Sequence, residues 1–542
     1  MKSYTIAGKK LFLIILALLV AFHAFLPLSH AKQDEKTMPF RIKTFEISGN
    51  SLFPAEKLRE VVKSFTGVKK TAEDVEKARD VLEKFYHDAG YPAVLVNIPE
   101  QTIKDGVVKL QVIESRIGRV KISGNRYFTS DKMMRDLQSF NPGQILYLPK
   151  VQEEIGRINR NQDFKVEPVM TPGSEPGTVD VDLKVDDNFP LHGSLELNDK
   201  NSYGTDPLRL TGMIRYDNLW QMEHSISLQY QTAPQDASEV QVFSASYILP
   251  APWEKDHQWV LYGISSDSST YTDVGDGFRV VGKGTILGTR YVIPLPPYNL
   301  YAHNITIGLD YKDFKTSVNF NAATGSSTPS SIITPVTYMP LSFAYNSVLQ
   351  DGGGMTQFNA GLNLSLRGVV SDQSQFENAR YKGNASYLFV TAGIQRNQKL
   401  PWGMGLLIKV DGQAADQPLI PNEEYVAGGM GNVRGYMESE AQGDDAIHGT
   451  IELSFPDPVA RFGIWKQLQT SPYIFYDIAQ LNVKDPLPAQ NGSITLDGAG
   501  AGIRGSLTKY LEYEFDWAVA LNATNQTQAN TNMFYFKLKA LF

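Results

Sequence analysis

The stretch FYFKLKALF, Phe534–Phe542, divides its side chains between two faces. Successive side chains of a β-strand point to opposite sides, so every second residue shares a face. One face of this stretch is wholly apolar and strongly aromatic, whereas the other carries two lysines. The apolar face holds Phe534, Phe536, Leu538, Ala540 and Phe542, and the other holds Tyr535, Lys537, Lys539 and Leu541. This division is typical of a barrel strand that has lipid on one side and a wet lumen on the other.

The same division recurs upstream. An apolar row in Leu511–Leu521 alternates with Glu512, Glu514 and Asp516, and Met222–Gln231 repeats the pattern. Sixteen such segments follow Pro190, and an even number suits a closed antiparallel barrel. They start near residues 191, 206, 222, 238, 257, 277, 300, 335, 354, 383, 404, 446, 470, 497, 509 and 532. We therefore predict a transmembrane β-barrel of 16 antiparallel strands over residues 190–542, with a large water-soluble β-sandwich as the alternative.

Composition separates this rear part from the part before it. The chain has 542 residues, which suggests two or three domains. In Lys32–Phe189, 50 of 158 residues are charged, against 56 of 353 in Pro190–Phe542. The net charge of -7 argues against binding to nucleic acid. The absence of cysteine excludes disulfide scaffolds, cysteine metal sites and cysteine nucleophiles.

Residues 1–31 have the order of a secretory signal peptide. Three lysines precede the apolar run Leu11–Leu28, and Ser29-His30-Ala31 then offers small residues at a cleavage site. An uncleaved membrane anchor is the alternative interpretation. No later apolar run reaches the roughly 18–20 residues of a transmembrane helix, so the exported chain is either water-soluble or a β-barrel.

The charged front part contains an internal repeat. Phe45–Asn50 (FEISGN) recurs 75 residues later as Val120–Asn125 (VKISGN), and in each copy two helices and then two strands are predicted. In the first copy Thr71 and Asp74 predict a capping box at the start of the second helix. The closing strands are predicted at Ala93–Ile98 and Val107–Glu114, and in the second copy most clearly at Val179–Val185. We therefore predict two related α+β domains, at residues 39–115 and 116–188.

The longest connection of the predicted barrel, residues 411–446, holds the most specific motif. It reads GGMGNVRGY and supplies the candidate residues Gly428, Gly429, Val433, Arg434, Gly435 and Tyr436. From polarity alone an arginine between glycines is as easily an ordinary turn as a functional residue. Inside a lumen, however, Arg434 would need a carboxylate partner. The acidic run that follows predicts either a solvated loop face or a cation site; it comprises Glu438, Glu440, Asp444 and Asp445.

The repeat, the barrel pattern and the Val-Arg-Gly-Tyr loop together resemble one superfamily. The repeat is similar to polypeptide-transport-associated (POTRA) domains, and the whole resembles outer-membrane protein assembly factors and two-partner secretion transporters. The resemblance implies that the loop folds back into the lumen, where Arg434 pairs with Asp477 of the segment that begins at Phe475. The family pattern there is Phe-x-Asp-x-Gly, and Ala479 departs from it by one methyl group, which puts close packing at that position in doubt.

Two POTRA-like domains favour the two-partner secretion branch, the TpsB-type haemolysin secretion/activation proteins. The resemblance implies an outer-membrane barrel with its POTRA domains in the periplasm. There they would capture an unfolded partner polypeptide, with the candidate edge strand at Ala93, Val94, Leu95 and Val96. The terminal Phe542 would serve as the signal that the barrel assembly machinery reads. Only about eight residues separate Ala31 from Phe40, so we expect no N-terminal plug helix and closure mainly by the 411–446 loop.

Other functions have less support in the sequence. There is no Gly-x-Ser-x-Gly, His-Glu-x-x-His or phosphate-loop motif, and the eight histidines do not cluster. We therefore expect no catalytic residue, no metal and no cofactor. An assembly factor that inserts other barrels remains the main alternative to export, and a passive porin is a third hypothesis that leaves the POTRA repeat without a use.

Overall fold

The computed structural model describes residues 39–268, 271–273, 279–320, 330–463, 465, 467–488 and 490–542. The predicted signal peptide and the short segment before Phe40 lie outside the described residues. The chain divides into two compact units. One holds most of the repeat, and the other holds residues 126–132 and everything from Asp187 onwards. No helix among the described residues is long and apolar enough to cross a bilayer.

The first copy of the repeat is a three-stranded sheet with two helices. Its elements are β1 (Phe40–Ile42), β2 (Thr44–Ser48), α1 (Ala55–Val62), β3 (Gly67–Lys70), α2 (Ala72–Asp88), β4 (Val94–Asn97) and β5 (Val107–Glu114). The sheet order is β2-β5-β4, with β2 parallel and β4 antiparallel to β5. Thr71 and Asp74 form the predicted capping box, and the Thr71 N–H at 2.9 Å holds the pKa of Asp74 below its ordinary value. A separate pair of strands, β1 with β3, was not predicted.

The second copy repeats this plan. Its elements are β6 (Arg116–Ser123), α3 (Ser130–Asp136), α4 (Leu148–Ile158), β7 (Phe164–Pro172) and β8 (Thr178–Asp187), with sheet order β6-β8-β7. The recurring glycine has one physical cause in both copies. Gly49 and Gly124 have φ of +83° and +92°, and a Cβ there would lie 2.2 and 2.3 Å from the carbonyl oxygens of Val112 and Val185. Only glycine fits so close to a neighbouring strand with that backbone conformation.

From Leu191 onwards the chain forms a closed antiparallel barrel in which β29 returns to pair with β9. Among the described residues, its connections contain two short hairpins and two α-helices. The strands are β9 (Leu191–Asn198), β10 (Arg209–Leu219), β11 (His224–Thr232), β12 (Gln241–Ala251), β13 (Glu254–Ser266), β14 (Tyr271–Asp273), β15 (Arg279–Val281), β16 (Gly284–Tyr298), β17 (Tyr301–Phe320), β18 (Ser330–Tyr338), β19 (Leu341–Gln350), β20 (Gly354–Ser365), β21 (Tyr387–Lys399), β22 (Gly405–Ala415), β23 (Tyr425–Ala427), β24 (Ala441–Gly443), β25 (Asp445–Ser454), β26 (Leu468–Asn482), β27 (Ser493–Leu507), β28 (Leu511–Ala520) and β29 (Asn532–Leu541). The helices are α5 (Gln373–Ala379) and α6 (Pro458–Phe462).

The barrel has sixteen strands because β18 and β19 act as one. The long β17 pairs with β18 through Lys312–Phe320 and with β19 through Tyr301–Leu309. Met339 and Pro340 interrupt the partner strand, and proline has no N–H for the ladder. The predicted fold class is therefore confirmed. The predicted strand start at 277 lies seven residues before the observed start at Gly284, and β17 and β18 extend into the predicted loop Asn319–Thr334.

The two faces of the barrel strands follow the predicted alternation. On β11, Ile226, Leu228 and Tyr230 are exposed on the outer surface. The alternate residues Ser227, Gln229 and Gln231 line an interior cavity of about 1140 Å³. Strand β26 behaves in the same way with five consecutive inward positions buried; these are Tyr473, Phe475, Asp477, Ala479 and Leu481.

Candidate functional site

The segment between β22 and β25 folds as a hairpin with a wide tip. Its two limbs pair through β23 and β24, and the tip comprises residues 428–440. The Asn432 side chain accepts a hydrogen bond from the Gly428 N–H at 2.8 Å and donates one to the Val426 carbonyl at 2.9 Å. Gly428 and Gly429 have φ near +105°, which a residue with a Cβ rarely adopts. The paired glycines therefore turn the chain tightly at the start of the tip.

Arg434 joins the tip to the inner face of β26. Its Nε lies 2.7 Å from Asp477 Oδ2 and its Nη2 lies 3.0 Å from Asp477 Oδ1. The Arg434 backbone N–H donates to the same carboxylate at 3.2 Å. Both residues are buried, with 6% of Arg434 exposed. A two-pronged contact of this kind fixes orientation as well as distance, because the planar guanidinium matches the carboxylate only one way.

Three further side chains surround the guanidinium. The Phe475 ring centroid lies 3.3 Å from Arg434 Cζ, so the cation rests on an aromatic face. Glu452 on β25 and Asp516 on β28 approach Arg434 Nη1 at 3.4 and 3.7 Å. Sequence reasoning identified Asp477 and Phe475 but missed Glu452. The sequence did offer a signal for Glu452, because alternation places it on the inward face of β25, the strand beside β26.

The residues next to Arg434 occupy a second, apolar contact. Val433 and Tyr436 are fully buried in a cluster that contains the methyl group of Ala479, so this departure from glycine is packed rather than strained. The Gly435 N–H donates to the Tyr535 hydroxyl at 2.8 Å, and that hydroxyl donates to the Tyr436 carbonyl at 2.7 Å. The Tyr535 hydroxyl thus joins the wall to the motif at two successive residues, Gly435 and Tyr436.

A glycine on the wall makes room for the tip. A Cβ at Gly498 of β27 would lie 1.8 Å from the Arg434 carbonyl oxygen. Gly435 itself has φ of +107°, and its Cβ would lie 2.9 Å from the backbone nitrogen of Ala520. The backbone of the tip therefore lies directly against β27 and β28, a contact that side chains on either surface would prevent.

The acidic run after the motif is not a solvated face, and no three of its carboxylates come together in the part of the chain that the structure describes. Glu438 accepts a hydrogen bond from the Met430 N–H at 3.0 Å, and Glu440 accepts one from the Thr524 hydroxyl. Asp445 accepts from the Ala415 N–H at 2.8 Å, and Asp444 is fully buried among donors. The carboxylates thus organise the loop itself. The expected solvated face is wrong because the loop is packed inside the barrel.

Another part of the interior is apolar, which corrects the expectation of a uniformly wet lumen. Phe376 of α5 packs against Tyr338 and Tyr387 of the wall, with ring centroids 5.5 and 6.3 Å apart. Leu419 and Ile420 of the 411–446 loop join the same cluster. The wall contributes Val242, Tyr262, Ile264, Ile286, Phe314, Val336, Tyr338, Tyr387 and Phe389. Part of the segment Asp372–Lys382, expected to be a polar outer loop, therefore packs in the barrel interior together with the 411–446 loop.

The candidate edge strand of the first POTRA-like domain is β4, which begins one residue after Ala93. It lies at the edge of its sheet, and Leu95 is 51% exposed. Two of its outward backbone groups already have partners on α2. The Val96 N–H donates to Glu83 at 3.0 Å, and the Val94 carbonyl accepts from His87 Nε2 at 3.0 Å. The edge is sheltered by its own helix.

The last residue lies at the seam of the barrel. The Phe542 ring is 70% exposed on the outer surface, and its backbone exchanges hydrogen bonds with Gly193 at 2.8 and 3.0 Å. Gly193 leaves space for the ring, since a Cβ there would lie 2.1 Å from it. Phe542 therefore closes the pairing between the last and first barrel strands.

Comparisons with known proteins agree with this architecture. Residues 40–115 match the family described as POTRA domain, ShlB-type, and residues 177–505 match haemolysin secretion/activation protein ShlB/FhaC/HecB. The outer membrane transporter CdiB of Dickeya dadantii is 22% identical over 69% of this chain and 65% of its own length. The heme/hemopexin transporter protein HuxB of Haemophilus influenzae is 19% identical over 95% of this chain and 89% of its own.

Solved structures share the fold. CdiB from Escherichia coli superposes with a TM-score of 0.62 at 16% identity, and the match covers 95% of this chain and 94% of that one. BamA from Haemophilus ducreyi lacking POTRA domains 1–3 superposes with a TM-score of 0.55 at 15% identity, covering 93% of this chain and 100% of that one. Both likenesses are to the fold of this chain.

Proposed function

The chain belongs to the haemolysin secretion/activation family ShlB/FhaC/HecB of outer-membrane transporters, and on that premise we propose that it exports a partner polypeptide through its barrel. The observation that carries the proposal is the seating of Arg434 against Asp477. It attaches the tip of a long loop to the lumen wall through a side-chain ion pair, and one backbone hydrogen bond, from the Glu438 N–H to the Asn201 carbonyl, adds to it. Such contacts can be broken and remade without unfolding the wall, which is what a gated passage requires. The proposal assigns no catalytic residue.

Capture of the partner takes place on the periplasmic POTRA domains. An extended segment adds to the edge of β4, where backbone hydrogen bonds give affinity that tolerates many sequences. The incoming strand replaces Glu83 at the Val96 N–H and His87 at the Val94 carbonyl, the two contacts that now shelter this edge. The exposed Leu95 side chain supplies apolar contact on the same segment. Replacing Leu95 with aspartate therefore weakens capture without altering the barrel.

Passage follows once the 411–446 loop leaves the lumen. The cavity is bordered by hydroxyl and amide side chains, such as Ser227, Gln229 and Gln231, together with Lys537 and Lys539. Such polar side chains offer many weak hydrogen bonds, so an extended chain slides along them without being held. No nucleotide motif occurs in the sequence, so folding of the partner outside the cell supplies the direction. The outer apolar row lies in lipid, and the barrel assembly machinery inserts the chain.

The test compares native cells with cells that lack the protein. Extracellular proteins and outer-membrane proteins are quantified in both, and a strain complemented with the wild-type gene is the control. Export predicts the loss of one large extracellular protein with an unchanged outer-membrane profile. A broad fall in barrel proteins would overturn export and support the alternative, an assembly factor.

One structural observation favours that alternative. Strand β29 and the adjoining Phe542 pair with the first barrel strand only over Lys537–Phe542, whereas β26 pairs with β27 along its whole length. A seam with few pairs opens more readily than the rest of the wall, and an assembly factor would use it. Export needs no opening of the seam, so a cross-link between β9 and β29 that leaves export intact would separate the two functions.

A further inference from the structure

Arg380 lies in the connection between β20 and β21, directly after α5. Its side chain contacts the 411–446 loop. Its Nη1 forms an ion pair with Glu424, on the limb that runs towards the tip. Its Nη2 lies 3.0 Å from Asp444, on the limb that returns. The side chains of Arg380, Glu424 and Asp444 are 11%, 6% and 0% exposed. One buried cation therefore bridges both limbs.

Asp444 extends this contact to a third segment. Its carboxylate accepts the Leu419 N–H at 2.6 Å and the Lys484 N–H at 2.7 Å, in addition to Arg380. Lys484 belongs to the connection between β26 and β27, and Arg380 also donates to its carbonyl at 3.0 Å. Three separate connections of the barrel thus meet at one carboxylate. We call this point, Arg380 with Glu424 and Asp444, the neck anchor.

We propose that Arg380 is a positioning residue that sets the resting place of the 411–446 loop in the lumen. Two buried arginines are among the contacts that hold the loop, Arg434 at the tip and Arg380 at the neck. The two anchors share no side chain, since Arg434 contacts Asp477, Glu452 and Asp516. The tip can therefore leave its wall by bending about a fixed neck, and the loop leaves the lumen as a whole only when the neck anchor also breaks.

The physical argument rests on burial. Removing one partner of a buried ion pair leaves an uncompensated charge, which is costly. Without Arg380, Glu424 and Asp444 lower that cost by moving towards water, and the limbs that carry them move as well. A lysine would keep the charge but could not reach both carboxylates and a carbonyl with the fixed geometry of a guanidinium.

The test uses a reporter at the tip of the full-length protein in cells. Gly431 borders the lumen cavity, a Cβ there meets nothing within 4 Å, and the chain has no cysteine of its own. The variant Gly431→Cys is combined with Arg380→Gln, Arg380→Lys or Arg434→Ala. Lys382→Gln is the matched control, because Lys382 lies two residues away and makes an exposed ion pair with Asp485. The rate of labelling by a membrane-impermeant maleimide is measured, with heat-modifiable electrophoretic mobility as the check that the barrel is folded.

The proposal predicts labelling about tenfold faster or more in Arg380→Gln, an intermediate rate in Arg380→Lys and no change in Lys382→Gln. The purified Arg380→Gln protein should show a raised basal conductance in planar bilayers. Equal labelling and conductance in Arg380→Gln and Lys382→Gln, with both barrels folded, would overturn it. The inference rests on the proposed function only where it takes movement of the loop to serve export. Neither readout needs a partner polypeptide, so failure of export would leave the result on the neck anchor unaffected.

Discussion

Two walls of the same lumen hold the 411–446 loop by different interactions, one through charged groups and the other through apolar packing. The polar wall, β25–β28, receives Arg434 among carboxylates and takes its backbone against Gly498. The apolar wall, the cluster around Phe376, receives Leu419 and Ile420. Charge contacts are directional and fix the position and orientation of the tip, whereas apolar contacts are non-directional and depend on the area buried. The difference teaches that position and closure are separate properties of this loop.

Arg434→Ala tests the polar wall and should have the largest effect. It leaves Asp477 buried without its cation, which costs about 3–5 kcal/mol of loop seating. We expect export to be lost while the barrel remains in the outer membrane, measured by secreted partner and by heat-modifiable mobility. The control is Arg367→Ala, an exposed arginine of an outer connection. Normal secretion by Arg434→Ala would show that the charge contact does not position the loop.

Phe376→Ala tests the apolar wall. It empties the centre of the cluster between Tyr338 and Tyr387, a loss of about 3 kcal/mol for a buried phenylalanine. We expect raised basal conductance of the purified protein, with Arg434 still seated. Asn378→Ala, an exposed position on the same helix, should conduct like wild type. If Phe376→Ala conducts no more than Asn378→Ala, the apolar wall does not close the lumen.

Gly498→Ala tests the close approach of the tip to β27 separately from the ion pair, because it changes no ionisable group. The new methyl group would meet the Arg434 carbonyl oxygen, so the tip must withdraw at a cost of about 2 kcal/mol. Labelling of Gly431→Cys should accelerate in this background. Gly449→Ala on β25 is the control, since its methyl group would make only ordinary contacts of 3.6 Å or more. Identical labelling in both backgrounds would contradict the close approach.

Tyr535→Phe should have the smallest effect on the polar wall. It removes one hydroxyl that joins β29 to the Gly435 N–H and the Tyr436 carbonyl, a loss of about 1 kcal/mol. We expect faster hydrogen–deuterium exchange in the peptide that contains Gly435, with export retained. Tyr345→Phe, whose hydroxyl contacts Tyr301 elsewhere in the barrel, is the control. Unchanged exchange would mean that charge alone seats the motif.

The polar wall could be predicted from sequence to a large extent, and the apolar wall could not. Alternation along β26 places Phe475 and Asp477 on one face, and the resemblance supplied Arg434 as their partner. No local sequence pattern predicts that Phe376 packs on Tyr338, because the two residues come together only in the closed barrel. Arg380 and Asp444 are likewise 64 residues apart, in connections that read as polar and solvated. Strand periodicity is a local property, whereas contacts among loops depend on the curvature of the whole sheet.

The sheltered edge of β4 has a consequence for selectivity in a crowded compartment. Unfolded chains of many kinds pass through the periplasm, and an open strand edge would pair with any of them. Glu83 and His87 already form hydrogen bonds with two backbone groups of β4. A short segment that replaced them would gain no additional hydrogen bond there. Binding is favourable only for a segment that is long enough to pair along the whole strand and to cover Leu95. Under the proposed capture, the domain would therefore bind partner segments that span the whole strand and not shorter ones.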